Sequence, residues 1–100
     1  MKRRYDPVFI KSLKKTDIRI RKSFRERIAV FAKNYLDPQL NNHKLRKPYK
    51  GLRSIDITND YRAIYEEMTA EGDTVAYFMI LGTHDQLYGV NKKFPDSDKV

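Results

Sequence analysis

Between Ile18 and Leu36 the apolar residues Ile20, Phe24, Ile28, Phe31 and Tyr35 recur every three or four positions, with Lys22, Arg25, Glu26 and Lys33 between them. This spacing predicts a helix of about 20 residues, roughly 30 Å long, with one apolar stripe and a basic face turned away from it. Asp37-Pro38 stops it, because the residue before a proline is pushed out of the helical region. Upstream, Phe9, Ile10 and Leu13 fall opposite Lys11, Lys14 and Lys15, which predicts a short amphipathic helix over Val8 to Lys15. Asp6 serves as its cap and Pro7 as its first helical residue. Lys2 to Tyr5 reads as an edge strand, and Thr16-Asp17 as the turn and cap between the helices.

The period then changes. Pro38 to Gly51 has none and reads as a surface loop in which positive charge concentrates. After it, Ile55 and Ile57 alternate with Ser54, Asp56 and Thr58, the pattern of a half-buried strand. Asn59-Asp60 supplies a turn, Tyr61 to Tyr65 the returning strand, and Glu71-Gly72-Asp73 a second turn. Val75 to Leu81 is so uniformly apolar that it belongs in the middle of a sheet. Beyond Thr83 a short C-terminal segment follows, and Asn91 to Val100 reads as a loose tail. A strand, two helices and three strands in succession predict an α+β domain: two N-terminal helices packed on one face of a small, mainly antiparallel four-stranded sheet. Its other face is then free to bind.

Composition narrows this picture. One hundred residues with no break predict one domain spanning residues 1–100. There is no cysteine, so disulfides and thiolate metal sites are excluded, and two isolated histidines are too few for an ordinary metal centre. No apolar stretch approaches the ~20 residues of a membrane span, and the Met-Lys-Arg-Arg-Tyr-Asp-Pro start lacks the apolar segment of a signal peptide, so a cytoplasmic location is expected. Twenty-one Lys and Arg against 13 Asp and Glu give a formal charge of +8. So large a surplus suits a polyanionic partner, either nucleic acid or an acidic protein.

The candidate chemistry follows the apolar strand, in Leu81-Gly82-Thr83-His84-Asp85-Gln86-Leu87-Tyr88-Gly89. An imidazole can give or take a proton near neutral pH, and a tyrosine can stack on a base or donate to a phosphate oxygen. The same residues also read as a helix-capping Thr83, a surface histidine and a tyrosine that closes the core. Arg62, in the returning strand, either clamps a phosphate or pairs with Asp56 across the hairpin. His43 lies in the basic loop. Two histidines, an aspartate and an arginine among lysines suit RNA cleavage by the 2′-hydroxyl, which needs a base, an acid and cations but no metal.

The order of elements, with Lys50-Gly51-Leu52-Arg53-Ser54-Ile55, Asp60-Tyr61-Arg62-Ala63-Ile64-Tyr65 and the closing Leu81 to Gly89 segment, resembles the RelE/ParE toxin superfamily, nearest its YafQ branch. The resemblance implies a type II toxin that cuts mRNA on the ribosome and is neutralised by a cognate antitoxin, with operator DNA reached through the antitoxin. By position it implies catalytic roles for His84, His43, Asp60, Arg62 and Tyr88, with no cofactor. Lys44, Arg46, Lys47, Lys50 and Arg53 become the RNA-binding candidates. Two positions depart from the branch: Asp56 stands where it can have another histidine, and Ile80 where an arginine would precede Gly-Thr-His. A ParE-like inhibitor of DNA gyrase, or a degenerate toxin that only binds its antitoxin, remains open, since one fold carries these activities.

Overall fold

The computed structural model describes residues 1–88; the tail expected over 91–100 lies outside the described residues. Five strands form one sheet: β1 (Lys2–Tyr5), β2 (His43–Lys44), β3 (Arg53–Asp56), β4 (Tyr61–Ala70) and β5 (Asp73–Thr83), in the order β1-β5-β4-β3-β2. β1 runs parallel to β5, and the other neighbours are antiparallel. The helices are α1 (Pro7–Lys14), α2 (Ile18–Lys33) and a short α3 (His84–Tyr88), with one 3-10 turn at Pro38–Leu40.

Local chemistry sets the boundaries. Asp6 accepts a hydrogen bond from the Val8 amide at 2.8 Å, and Asp17 accepts from Arg19 and Ile20, so each carboxylate satisfies amides that the first helical turn leaves free. β4 and β5 are joined by Glu71 and Gly72, both at positive φ, the geometry of a two-residue hairpin turn matched to strand twist. Opposite Ile64 and Tyr65 the register slips, pairing them with Ile80 and Phe78 and leaving Met79 as an extra residue on β5. This bulge lets Phe78 and Leu81, three apart, both face the same core.

That core joins Phe9 of α1 and Phe24 and Phe31 of α2 to Ile55, Ala63, Tyr65, Ala76, Phe78 and Leu81 of the sheet. Phe78 is central, with the rings of Tyr5, Phe9, Phe31 and Tyr65 all 5.1–5.7 Å from its own. Offset and edge contacts of this kind add to the area that each ring removes from water.

Three expectations need correction. The sheet has five strands, not four, because His43–Lys44 in the supposed loop pairs with Ser54 and Arg53 of β3. α2 has 16 residues and ends at Lys33, where Asn34 turns extended and its side chain accepts the Leu36 amide at 3.1 Å. The second face of the sheet is not free: a smaller core of Tyr49, Ile64 and Leu87, flanked by Leu45, Leu52, Ile80 and Tyr88, covers one end of it. The loop after β2 and α3 are therefore packed against the sheet by apolar burial.

Candidate functional site

The strand register brings the polar side chains of the second face together. His43 is opposite Ser54, and Ser54 is opposite Ile64; in the adjoining row Asp56 is opposite Arg62, and Arg62 is opposite Gly82. Since alternate residues share a face, His43, Ser54, Asp56 and Arg62 all lie on the side away from α1 and α2. α3 folds back over this face from the end of β5. Thr83 Oγ1 accepts from the Gln86 amide at 3.1 Å while Gln86 Oε1 accepts from the Thr83 amide at 2.8 Å, a reciprocal capping box. Gly82 permits the fold-back, because a Cβ there would stand 3.1 Å from Gln86 Oε1 and 3.3 Å from Leu87 Cδ2.

His84 is thus the first residue of α3, exposed, with its amide donating to the Asp60 carbonyl at 2.8 Å. Its ring stacks at a tilt on Tyr88, the centroids 4.9 Å apart. Tyr88 in turn meets Tyr49 edge to face at 5.6 Å, and the Tyr49 hydroxyl donates to the Leu87 carbonyl at 3.2 Å. Burial, with the neighbouring Tyr88 as a second cause, pushes the Tyr49 hydroxyl up to about 12. Burial likewise raises Tyr88, against the opposing pull of Ser54 and Arg62. Both phenols therefore stay protonated at neutral pH and can donate.

Arg62 is gripped from several sides. Its Nε lies 3.0 Å from Asp56 Oδ1, and Nη1 donates to the carbonyls of Thr58, Asn59 and Tyr61 at 3.0, 3.0 and 3.2 Å. The side chains of this ion pair are 17% and 26% exposed, so the pairing is mostly removed from water. Of the two readings the sequence left open for Arg62, the hairpin pairing with Asp56 is present, and the residue also lines the cavity described next.

His43, Lys44, Arg46, Lys47, Arg62, His84 and Tyr88 line one cavity of about 460 Å³, together with Asn41, Leu45 and Ser54. His43 Nδ1 is 2.7 Å from the Asn41 carbonyl. A carbonyl only accepts, so Nδ1 carries the hydrogen, and in the neutral ring Nε2 is left as the acceptor. The buried Ser54 and Tyr88 hydroxyls lie at the floor of the site.

Three predicted residues stand elsewhere. Asp60 lies exposed in the hairpin turn and contributes its backbone carbonyl to α3 rather than a side chain to the cavity lining. Arg53 points to the helix side of the sheet, where its Nε donates to Asn42 at 2.8 Å. Lys50 is exposed in the turn that follows the lining residues. The reading of the sequence missed Asn41 and Ser54. Ser54 could have been found, since it alternates with Ile55 toward the second face; Asn41, in the left-handed region at φ 48, carries only the weak signal of an Asn-Asn pair after an apolar residue.

No family model and no curated protein matches the chain. Solved structures do match its fold. YafQ from E. coli is 24% identical, with 87% of this chain and 97% of that chain covered at a TM-score of 0.68. A YoeB/ParE toxin from Agrobacterium tumefaciens is 16% identical, with 84% and 99% covered and a TM-score of 0.66. A RelB-RelE antitoxin-toxin complex from Methanococcus jannaschii gives 21% identity, 85% and 94% coverage and a TM-score of 0.61. The chain has the fold shared by these proteins.

Proposed function

We propose that this chain is the toxin of a type II toxin–antitoxin pair, an endoribonuclease that cuts mRNA on the ribosome by attack of the RNA's own 2′-hydroxyl. The observation that carries this reading is the meeting of His43, His84 and Arg62 on one cavity, though they come from three separate elements. Transesterification needs a proton acceptor at the 2′-oxygen, a donor at the departing 5′-oxygen and positive charge at the phosphorane. His43, with Nε2 left as an acceptor, is the base; His84, exposed at the start of α3, is the acid. Arg62 faces the scissile phosphate, and Tyr88 stacks or orients the substrate.

Lys44, Arg46 and Lys47 on the cavity wall give the RNA backbone a cationic path, consistent with a net charge of +8. Binding through them weakens as salt rises, because each phosphate contact releases condensed counterions. Lys50 and Arg53, outside the cavity, serve docking or structure instead. Asp60 supports α3 through its carbonyl, so its side chain is a secondary choice of base.

A cognate antitoxin fits the same reading: an acidic segment that orders on the basic surface would neutralise it and cover the cavity. One of the fold neighbours is itself an antitoxin-toxin complex. Primer extension on mRNA from cells expressing the chain tests the proposal. New 5′ ends within coding sequence are expected, and their loss in His84→Ala and His43→Ala. Growth arrest with intact mRNA and inhibited gyrase supercoiling would overturn it in favour of a non-nuclease toxin.

A further inference from the structure

We infer that Asp56 is a positioning residue of the cavity, one carboxylate that aims Arg62 and, through Asn41, fixes the tautomer of His43. The catalytic consequence rests on the endoribonuclease reading; the geometry stands without it. Asp56 is directly opposite Arg62 in the β3–β4 register, and its Oδ1 lies 3.0 Å from Arg62 Nε. Its other oxygen, Oδ2, accepts from Asn41 Nδ2 at 3.3 Å, and the carbonyl of the same Asn41 meets His43 Nδ1 at 2.7 Å. Asn41 holds a left-handed backbone, φ 48 and ψ 46, that short polar side chains tolerate better than others. One carboxylate thus reaches both the cation and the imidazole assigned as base.

The way the carboxylate meets Arg62 decides between aiming and withholding. A bidentate pair through the two terminal nitrogens would occupy the groups that recognise a phosphate. Here the carboxylate sits on the Nε side, an ion-pair contact in which Oδ1 accepts no hydrogen bond, and Nη1 is taken by the carbonyls of Thr58, Asn59 and Tyr61. Among the described residues, Nη2 is the guanidinium nitrogen left for a ligand in the cavity. Asp56 itself is not part of the cavity wall, so it acts through Arg62 and Asn41 and not on a substrate. The pair is mostly buried, which strengthens each contact and makes the orientation of the guanidinium a fixed property of the free protein.

Asp56→Ala and Asp56→Asn, compared with the unmodified chain in two measurements, test this. In cleavage of ribosome-bound mRNA, kcat falls about a hundredfold for Asp56→Ala while KM changes less than about threefold, as misplacement of a transition-state contact requires. Asp56→Asn, which keeps the shape but removes the charge of the ion pair, lies between. In ¹⁵N NMR the Arg62 Nε–H resonance, which lies beside the carboxylate in the unmodified chain, shifts in Asp56→Ala. The His43 ring nitrogens move from the Nδ1–H pattern to a tautomer mixture in the same variant. Unchanged NMR signals in a folded variant, or a kcat within about threefold of the unmodified chain, overturns the inference. If Asp56→Ala does not fold, the isosteric Asp56→Asn carries both measurements. Should the unmodified chain not cleave at all, the endoribonuclease reading fails, and the NMR comparison decides the positioning alone.

Discussion

Truncating Leu87 to Ala should undock His84 without unfolding the protein. Leu87 is 4% exposed and packs with Tyr49 and Ile64 in the small core on the second face, apart from the large core under α1 and α2. Leu→Ala changes at well-packed sites cost about 2–5 kcal/mol, and a peripheral cluster that can partly collapse belongs to the lower half, about 2–3 kcal/mol. A helix of five residues has no stability of its own, so α3 stays in place only through its contacts. Losing about 2–3 kcal/mol from those contacts lowers the ratio of docked to undocked α3 by about 30- to 150-fold, at roughly 1.4 kcal/mol per tenfold. Amide hydrogen exchange is the direct assay. The amides of Thr83, His84 and Gln86, each bonded within the cap or to Asp60, should exchange far faster in the variant, while those pairing β4 with β5 keep their protection. On the endoribonuclease reading proposed above, in which His84 is the acid, cleavage should fall in proportion to the lost docked fraction of α3. Equal protection at these three amides, or a loss of protection spread evenly over the β4–β5 amides, would refute the separation of the two cores.

Asn42 ties the start of β2 to the main core: its Nδ2 donates to the buried Tyr65 hydroxyl at 2.7 Å and the Tyr35 carbonyl at 2.8 Å, and its Oδ1 accepts from Arg53. Asn42→Ala leaves those groups unpaired and should cost about 1–3 kcal/mol, measured by urea unfolding, and on the proposed endoribonuclease reading it should also reduce cleavage, because His43 is the next residue. Alkaline stability should also follow the tyrosines. The folded Tyr49 is raised from 10.0 to about 12 by burial, so the stability it contributes is fully present below pH 10 and lost as pH rises toward 12. Thermal melting between pH 9 and 12 should show this decline, and Tyr49→Phe should flatten part of it.

The stripe on α2 and the alternation of β3 were readable because backbone geometry imposes their periods, and a core must be buried along one face. Where burial is decided by a partner distant in the chain, the pattern is silent. His43–Lys44 is too short to show a period, and its pairing depends on Arg53 and Ser54. Leu45, Tyr49 and Leu52 sit in a segment without periodicity, and they become a core only because Ile64, Ile80 and Leu87 arrive over them. The end of α2 misled for a different reason. Tyr35 continues the apolar spacing and does pack on Phe31, 6.2 Å between centroids, but it does so after Asn34 has already left the helix. For the site, His43, Arg62, His84 and Tyr88 were visible as residue types able to move protons or meet phosphate. Their common cavity is a product of strand register and the Gly82 fold-back, which no local pattern encodes.

The two cores divide the work of the sheet. Under α1 and α2 the aromatic cluster around Phe78 supplies most of the burial, and no ionisable cavity residue takes part in it. On the second face a much smaller apolar set does something different. Ile64, Leu87 and Tyr49 exclude water from beneath Ser54, Asp56 and the Tyr88 hydroxyl. Polar groups over such a floor interact more strongly than they would in solvent, and an arginine already oriented there pays little reorganisation when a phosphate arrives. A carboxylate beside an arginine proposed to meet phosphate looks self-defeating in a list of charges. With Nε beside the carboxylate and Nη1 held by the hairpin carbonyls, the guanidinium is fixed in one orientation on the cavity, which a free surface arginine would not maintain.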